Sequence, residues 1–315
     1  MEKLPKIEKK ENIETTIVLN FFRHGDRNKN IEGVDDEEDM QKNYLKGDAN
    51  YIVKLNQKGR EQAHEHQDEN DNFNQSIAYG SPRMRASETA MRAMIGDNKD
   101  IGDPSNSYKE VLGELNKDIK VGSKVGVDEK LNYIIDQEEK TGILLVKAIT
   151  KQEGMDWLVH ESDKCALENN DSNTDTYSAL AKNIALIIKK YYKASDRWSN
   201  ISKDPEKSEL SRYMGTHGMI VESFVSKVIE KIRGLEVRDD FLNSIGSNGF
   251  DFVEGPKITI SNKNNNKEIV IEYQKIKEDG SYFMFNELVG SEILEEIIEE
   301  GQLLKEEIKK APNES

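Results

Sequence analysis

The first apolar run, residues 15–22 (TTIVLNFF), is β-branched, aromatic and uncharged, and it predicts a buried strand. It stops abruptly at Arg23-His24-Gly25-Asp26-Arg27. Residues 55–60 (LNQKGR) open a polar helix expected to run to about residue 69. Residues 75–80 (QSIAYG) predict a second short strand, and a helix is expected over 85–95, its start suited by Ser81 and Pro82. Residues 125–135 alternate enough to suggest another extended segment. Residues 141–200 read as largely helical, with Leu180, Ile184, Ile187, Ile188 and Tyr191 on one stripe. Residues 213–216 predict a strand that ends at His217-Gly218. Residues 219–232 then form an amphipathic helix with Ile220, Phe224, Val225, Val228 and Ile232 on one face. Residues 258–260 and 269–273 flank a polar turn and predict a hairpin, and 292–310 predict a closing helix.

Strands followed by helices along the whole chain predict a three-layer α/β/α domain with a mostly parallel central sheet, a helical insertion, and a C-terminal β-hairpin plus helix. The expected organisation is a disordered tail over 1–12 and a single domain over 13–315, with 141–210 as a helical insertion or cap. The acidic run at 35–39 reads as a solvated loop within the polar stretch 28–54, and residues 96–109 read as another loop. Arg23-His24-Gly25, residues 81–85 and His217-Gly218 share one topological position. Each follows the C-terminal end of an expected strand, where open α/β sheets gather their ligand sites.

Composition narrows the function. A formal net charge of -15 over 315 residues argues against general nucleic-acid binding and against attachment to an anionic membrane, since both need a broad basic face. The single cysteine, Cys165, excludes an internal disulfide and a cysteine-rich zinc site. The charged N-terminus and the lack of a long apolar run make a soluble, cytoplasmic setting the expectation. Only ten of the 45 basic residues are Arg, so Arg should stand mainly where a planar guanidinium matters. Four of the ten are Arg23, Arg27, Arg83 and Arg85.

Two histidines and several arginines at strand ends suggest phosphoryl chemistry. A neutral imidazole is a competent nucleophile toward phosphorus. Guanidinium forks bind phosphoryl oxygens and stabilise charge on them during transfer. Neighbouring cations also disfavour imidazolium and so keep a histidine unprotonated. The set predicts transfer through a phosphohistidine, without a metal or other cofactor.

Phe22-Arg23-His24-Gly25 resembles the signature of the histidine phosphatase superfamily, the phosphoglycerate mutase-like fold. Leu55, Gly59, Gln62 and Ala63 match its second block, residues 81–90 (SPRMRASETA) its third, and Thr216-His217-Gly218 its fourth, all in family order. The resemblance implies that His24 becomes phosphorylated and that Arg23, Arg85 and His217 surround the phosphoryl group. Arg27 corresponds to a further arginine in some branches, and Thr89-Ala90 would pack the third-block helix. The sequence departs from the family at the general acid: Tyr133 stands where a glutamate is usual, and Gly218 where the acid phosphatase branch carries Asp. Glu222, Asp26, Asp128 and Glu129 remain candidates. The implied activity is hydrolysis of a phosphomonoester, on a small phosphorylated substrate or a phosphopeptide. A mutase of the same fold and a catalytically weak phospho-ligand binding module are the alternatives. Oligomeric state is open.

Overall fold

The computed structural model describes residues 13–27, 53–66, 75–95, 124–202, 204–205, 208–277 and 279–310. The expected tail over 1–12, the acidic loop at 35–39 and the loop at 96–109 lie outside them. In chain order the described elements are β1 (Thr15–Arg23), α1 (Gln57–His64), β2 (Ser76–Gly80), α2 (Met84–Ile95) and β3 (Val125–Val127). Three helices follow: α3 (Lys140–Thr150), α4 (Gly154–Asn169) and α5 (Tyr177–Ile201). Then come β4 (Glu209–Thr216), α6 (Ile220–Arg233) and α7 (Leu235–Ile245). The chain closes with β5 (Lys257–Lys263), β6 (Asn266–Ile276), β7 (Tyr282–Leu288) and α8 (Ser291–Lys310).

The seven strands form one mixed sheet in the order β3-β2-β4-β1-β5-β6-β7. The first four neighbours are parallel, and β5, β6 and β7 extend the sheet as an antiparallel meander, so five of the seven strands share one direction. Strand alternation in β1 builds both faces. Ile17, Leu19 and Phe21 enter a core with Leu180, Ile184 and Ile188 of α5 and Phe224, Val225 and Val228 of α6. Phe22 turns the other way, into a second core with Ala63 of α1 and Met84, Ala90 and Met91 of α2. The sheet therefore lies between helical layers, as the strand–helix pattern implies. A fully buried aliphatic or aromatic side chain contributes about 1.5–3 kcal/mol, so this double-sided burial makes β1 the anchor of the domain.

Register decides what the strand ends bring together. β1 pairs with β4 up to Arg23 opposite Thr216, and the His24 amide continues the ladder to the Thr216 carbonyl at 2.9 Å. β2 pairs with β4 up to Gly80 opposite Gly215, and the Ser81 amide donates to the Gly215 carbonyl at 3.1 Å. Residues 24, 81 and 217 thus leave three adjacent parallel strands at the same level.

Several elements depart from the sequence expectation. The extended segment over 125–135 is cut by a 3-10 turn at Glu129–Leu131, which the Asp128 side chain caps through the Lys130 amide. α1 ends at His64, short of residue 69. β4 begins four residues before the expected 213, because its outer half is polar and partly exposed. α7 and β7 were not foreseen. Gly234 alone separates α7 from α6, and the outward positions of β7 carry Tyr282, Met284 and Leu288, which hides the polar–apolar alternation.

Candidate active site

His24 and His217 face each other at the ends of β1 and β4. Both are buried, and their ring centroids are 5.2 Å apart at 63°. His24 Nδ1 lies 2.8 Å from the Gly25 carbonyl, an acceptor, so Nδ1 carries the proton and Nε2 the lone pair. His217 is held from the other side: its Nε2 lies 2.7 Å from the Ser81 hydroxyl. Ser81 Oγ also accepts the Arg83 amide at 3.1 Å, so its own proton is free to go to His217 Nε2. With the serine donating, the neutral His217 carries its proton on Nδ1, which is buried and has no hydrogen-bond partner among the described residues. A buried donor without an acceptor costs free energy, so the site is built to receive one.

The backbone around His24 is locked by close approaches. A Cβ on Gly25 would meet the Gly59 carbonyl at 2.6 Å, so the strand end and the start of α1 touch backbone to backbone. The Gly25 amide donates to Thr89 Oγ1 at 3.0 Å, and Thr89 in turn donates to the Arg85 carbonyl at 2.8 Å. Thr89 thereby ties α2 to the strand end. After His217, Met219 adopts a left-handed conformation (φ 75°) and starts α6. A non-glycine residue at such an angle is strained, and the strain sits at the cavity wall.

A cavity of about 390 Å³ opens over the two imidazoles. Arg23, Arg27 and Arg85 line it together with both histidines, so every residue proposed for the phosphate site reaches one cavity. Burial first, then Arg85, holds the His24 pKa well below 6.5, with Arg23 and Arg27 adding to the effect. Burial followed by Arg83 and Arg85 does the same for His217. Arg83 does not line the cavity. Its guanidinium lies over the Tyr133 ring at 4.6 Å and donates to the Tyr133 carbonyl at 3.4 Å.

The candidate acids separate clearly. Asp26 is the only carboxylate lining the cavity among the described residues. Glu222 is fully buried but lies behind the wall, where Oε1 accepts the Phe250 amide at 2.9 Å. It supports the loop whose Asn248 and Phe250 carbonyls accept from Arg23. Burial raises the Glu222 pKa. Asp128 caps the 3-10 turn and Glu129 is exposed, both away from the cavity lining. Tyr133 lines the cavity, its ring edge-on to His217 at 5.8 Å.

Sequence reasoning placed Ser81 at a strand end and at a helix start but missed it as the partner of His217. It also missed Phe252, whose ring centroid lies 5.9 Å from that of His24 and 5.0 Å from the Arg23 guanidinium carbon. Phe252 sits in an irregular loop with no periodicity to mark it. Among the described residues no group of three or more His, Cys, Asp or Glu side chains is placed to hold a metal ion. None of the described helices is long and apolar enough to cross a membrane.

No family model matches the chain, and no curated protein matches it. Among solved structures, it is similar to a mycobacterial glucosyl-3-phosphoglycerate phosphatase at 13% identity and a TM-score of 0.38, covering 79% of this chain and 91% of that one. It is similar to a protein described as mycobacterial hydrolase 1 at 12% identity and a TM-score of 0.41, covering 82% and 96%. A third is an Escherichia coli protein assigned as an alpha-ribazole-5'-P phosphatase, at 13% identity and a TM-score of 0.34, covering 81% and 94%.

Proposed function

We propose that this chain is a phosphatase that hydrolyses phosphate monoesters through a phosphohistidine on His24. The supporting observation is the pair of imidazoles in complementary states. His24 presents a lone pair at Nε2, and 5.2 Å away between centroids His217, with the Ser81 hydroxyl on its Nε2, holds a buried Nδ1 that has no partner among the described residues. A phosphoryl group between them meets a nucleophile on one side and a donor on the other.

In the first step His24 Nε2 attacks phosphorus, a P–N bond forms and the P–O ester bond breaks. Asp26, as the carboxyl on the cavity wall, gives its proton to the departing oxygen, which leaves as the alcohol. Arg23, Arg27, Arg85 and His217 Nδ1–H bind the phosphoryl oxygens and stabilise their charge as the bond order changes. In the second step the Asp26 carboxylate takes a proton from water. The hydroxide oxygen bonds to phosphorus, the P–N bond breaks, and neutral His24 and inorganic phosphate result. Burial first, and then the arginines that bind the anion, keep His24 unprotonated, so the oxyanion site also supports the nucleophile. The expected substrate is a small phosphorylated molecule.

His24→Ala is expected to lower kcat for p-nitrophenyl phosphate by about 10³-fold or more while the wild-type fold is kept. Equal turnover by wild type and His24→Ala overturns the proposal.

A further inference from the structure

We propose that the leaving-group side of this cavity selects apolar, aryl-sized monoesters carrying a single anionic group. This rests on the phosphoryl-transfer reading above and names the substrate class of the same site.

The cavity is chemically divided. The guanidinium groups of Arg23, Arg27 and Arg85 all act on His24, which assigns the wall's cations to the phosphoryl end. The rest of the wall includes Tyr133, Ile149, Met219 and Phe252, together with Gly218, Ser247 and Asn248. Among the described residues no Lys and no further Arg lines the cavity. Sugar acids and bisphosphates would therefore carry a charge that this wall does not match. An uncompensated anion held against apolar surface is unfavourable, whereas an aromatic ring packs against Tyr133, Ile149, Met219 and Phe252 without bringing a second charge.

Phe252 sharpens the point. It is 36% exposed although it lies against both the His24 ring and the Arg23 guanidinium. The aromatic face left open beside the nucleophile is where the organic part of a short monoester must lie, and an aryl group would cover it. Val253, next in the chain, is held at φ 61° while its amide donates to the Arg23 carbonyl at 2.9 Å. A β-branched residue at that angle is a true outlier, so the loop is tied to the phosphate-binding arginine and Phe252 is presented on a fixed backbone. The volume, about 390 Å³, falls in the small-molecule range.

The test measures binding without turnover. Dissociation constants of benzylphosphonate, 3-phosphonopropionate and inorganic phosphate are taken by calorimetry on wild type, Phe252→Ala and Ile149→Ala. Benzylphosphonate is expected to bind wild type about tenfold or more tightly than 3-phosphonopropionate, the discrimination one apolar group can provide. Phe252→Ala should remove most of that preference, read as the ratio of the two phosphonate dissociation constants so that any loss of support for Arg23 cancels, and Ile149→Ala part of it. Equal or tighter binding of 3-phosphonopropionate, or a preference that survives both variants, overturns the inference and leaves the phosphatase reading standing. Failure of phosphate and both phosphonates to bind overturns the two together.

Discussion

At the scale of single residues, the account depends on which nitrogen carries a proton. Ser81 fixes that for His217, and the Gly25 carbonyl fixes it for His24. Ser81→Ala removes the side chain that, among the described residues, bonds to the His217 ring, yet it removes no group that lines the cavity. It should therefore lower kcat by about tenfold, the equivalent of about 1.4 kcal/mol, with KM changed far less. Steady-state kinetics on p-nitrophenyl phosphate reads the split, and a rise in KM at constant kcat would contradict the assigned role. Ser81 also shows how far a sequence carries. His24, Arg23 and His217 were legible because they stand directly at strand ends, and Arg85 because it lies in the third block that opens the helix after β2. Ser81 stands at a strand end as well, but a hydroxyl that works by holding a neighbour's ring has no phosphoryl chemistry of its own to mark it, and its partner is 136 positions away.

At the scale of elements, α2 carries the third block of the sequence and is buried along its length. Within it Arg92 Nε donates to Glu88 Oε1 at 2.9 Å with both side chains fully buried. Glu88 Oε2 accepts the Leu55 amide at 2.9 Å, and Arg60 donates to the Leu55 carbonyl at 3.1 Å. The pair thus anchors the segment leading into α1, which in turn abuts Gly25. Burial pushes the Glu88 pKa up; Arg92 is the first of the groups opposing that shift, with the Leu55 amide and Arg60 behind it, so the arginine is the main compensation for the carboxylate's charge. Arg92→Met leaves that charge uncompensated and should destabilise the fold by about 3–5 kcal/mol in urea unfolding, whereas adding Glu88→Gln should restore most of the loss. A cost below about 1 kcal/mol for Arg92→Met would show that the pair carries little of α2. The α5 stripe was plain in the sequence because its five apolar positions keep a helical period, and all five are buried. The meander was half legible: the β5–β6 hairpin has a polar turn with Asn264 and Asn265 at positive φ, while β7 is apolar on its exposed side and has no such contrast.

At the scale of the molecule, two buried neutral imidazoles make stability depend on pH. Both pKa values are held below the ordinary 6.5 by burial first, so the native state binds fewer protons than the unfolded chain once pH falls below that value. Their contribution is level above 6.5 and declines below it, by up to about 1.4 kcal/mol per pH unit for each histidine, until their folded pKa values are passed. Glu88 and Glu222 are raised and act in the opposite sense, losing stability as pH climbs from 4.5 toward their folded values. Urea unfolding of wild type and a His24→Asn/His217→Asn double variant separates the two. The variant should lose stability less steeply between about pH 6.5 and 5.5, and equal slopes would mean the imidazoles are not held neutral. The same low pKa values leave His24 ready as a nucleophile at neutral pH, which joins the stability of the fold to its chemistry. The most direct test of that chemistry is a rapid acid-free quench of the wild-type protein with a ³²P-labelled aryl monoester, followed by peptide mapping. Acid-labile, alkali-stable label on the peptide containing His24, absent from His24→Ala, is the expected result; turnover with no label on that peptide, or label on another residue, would contradict the account.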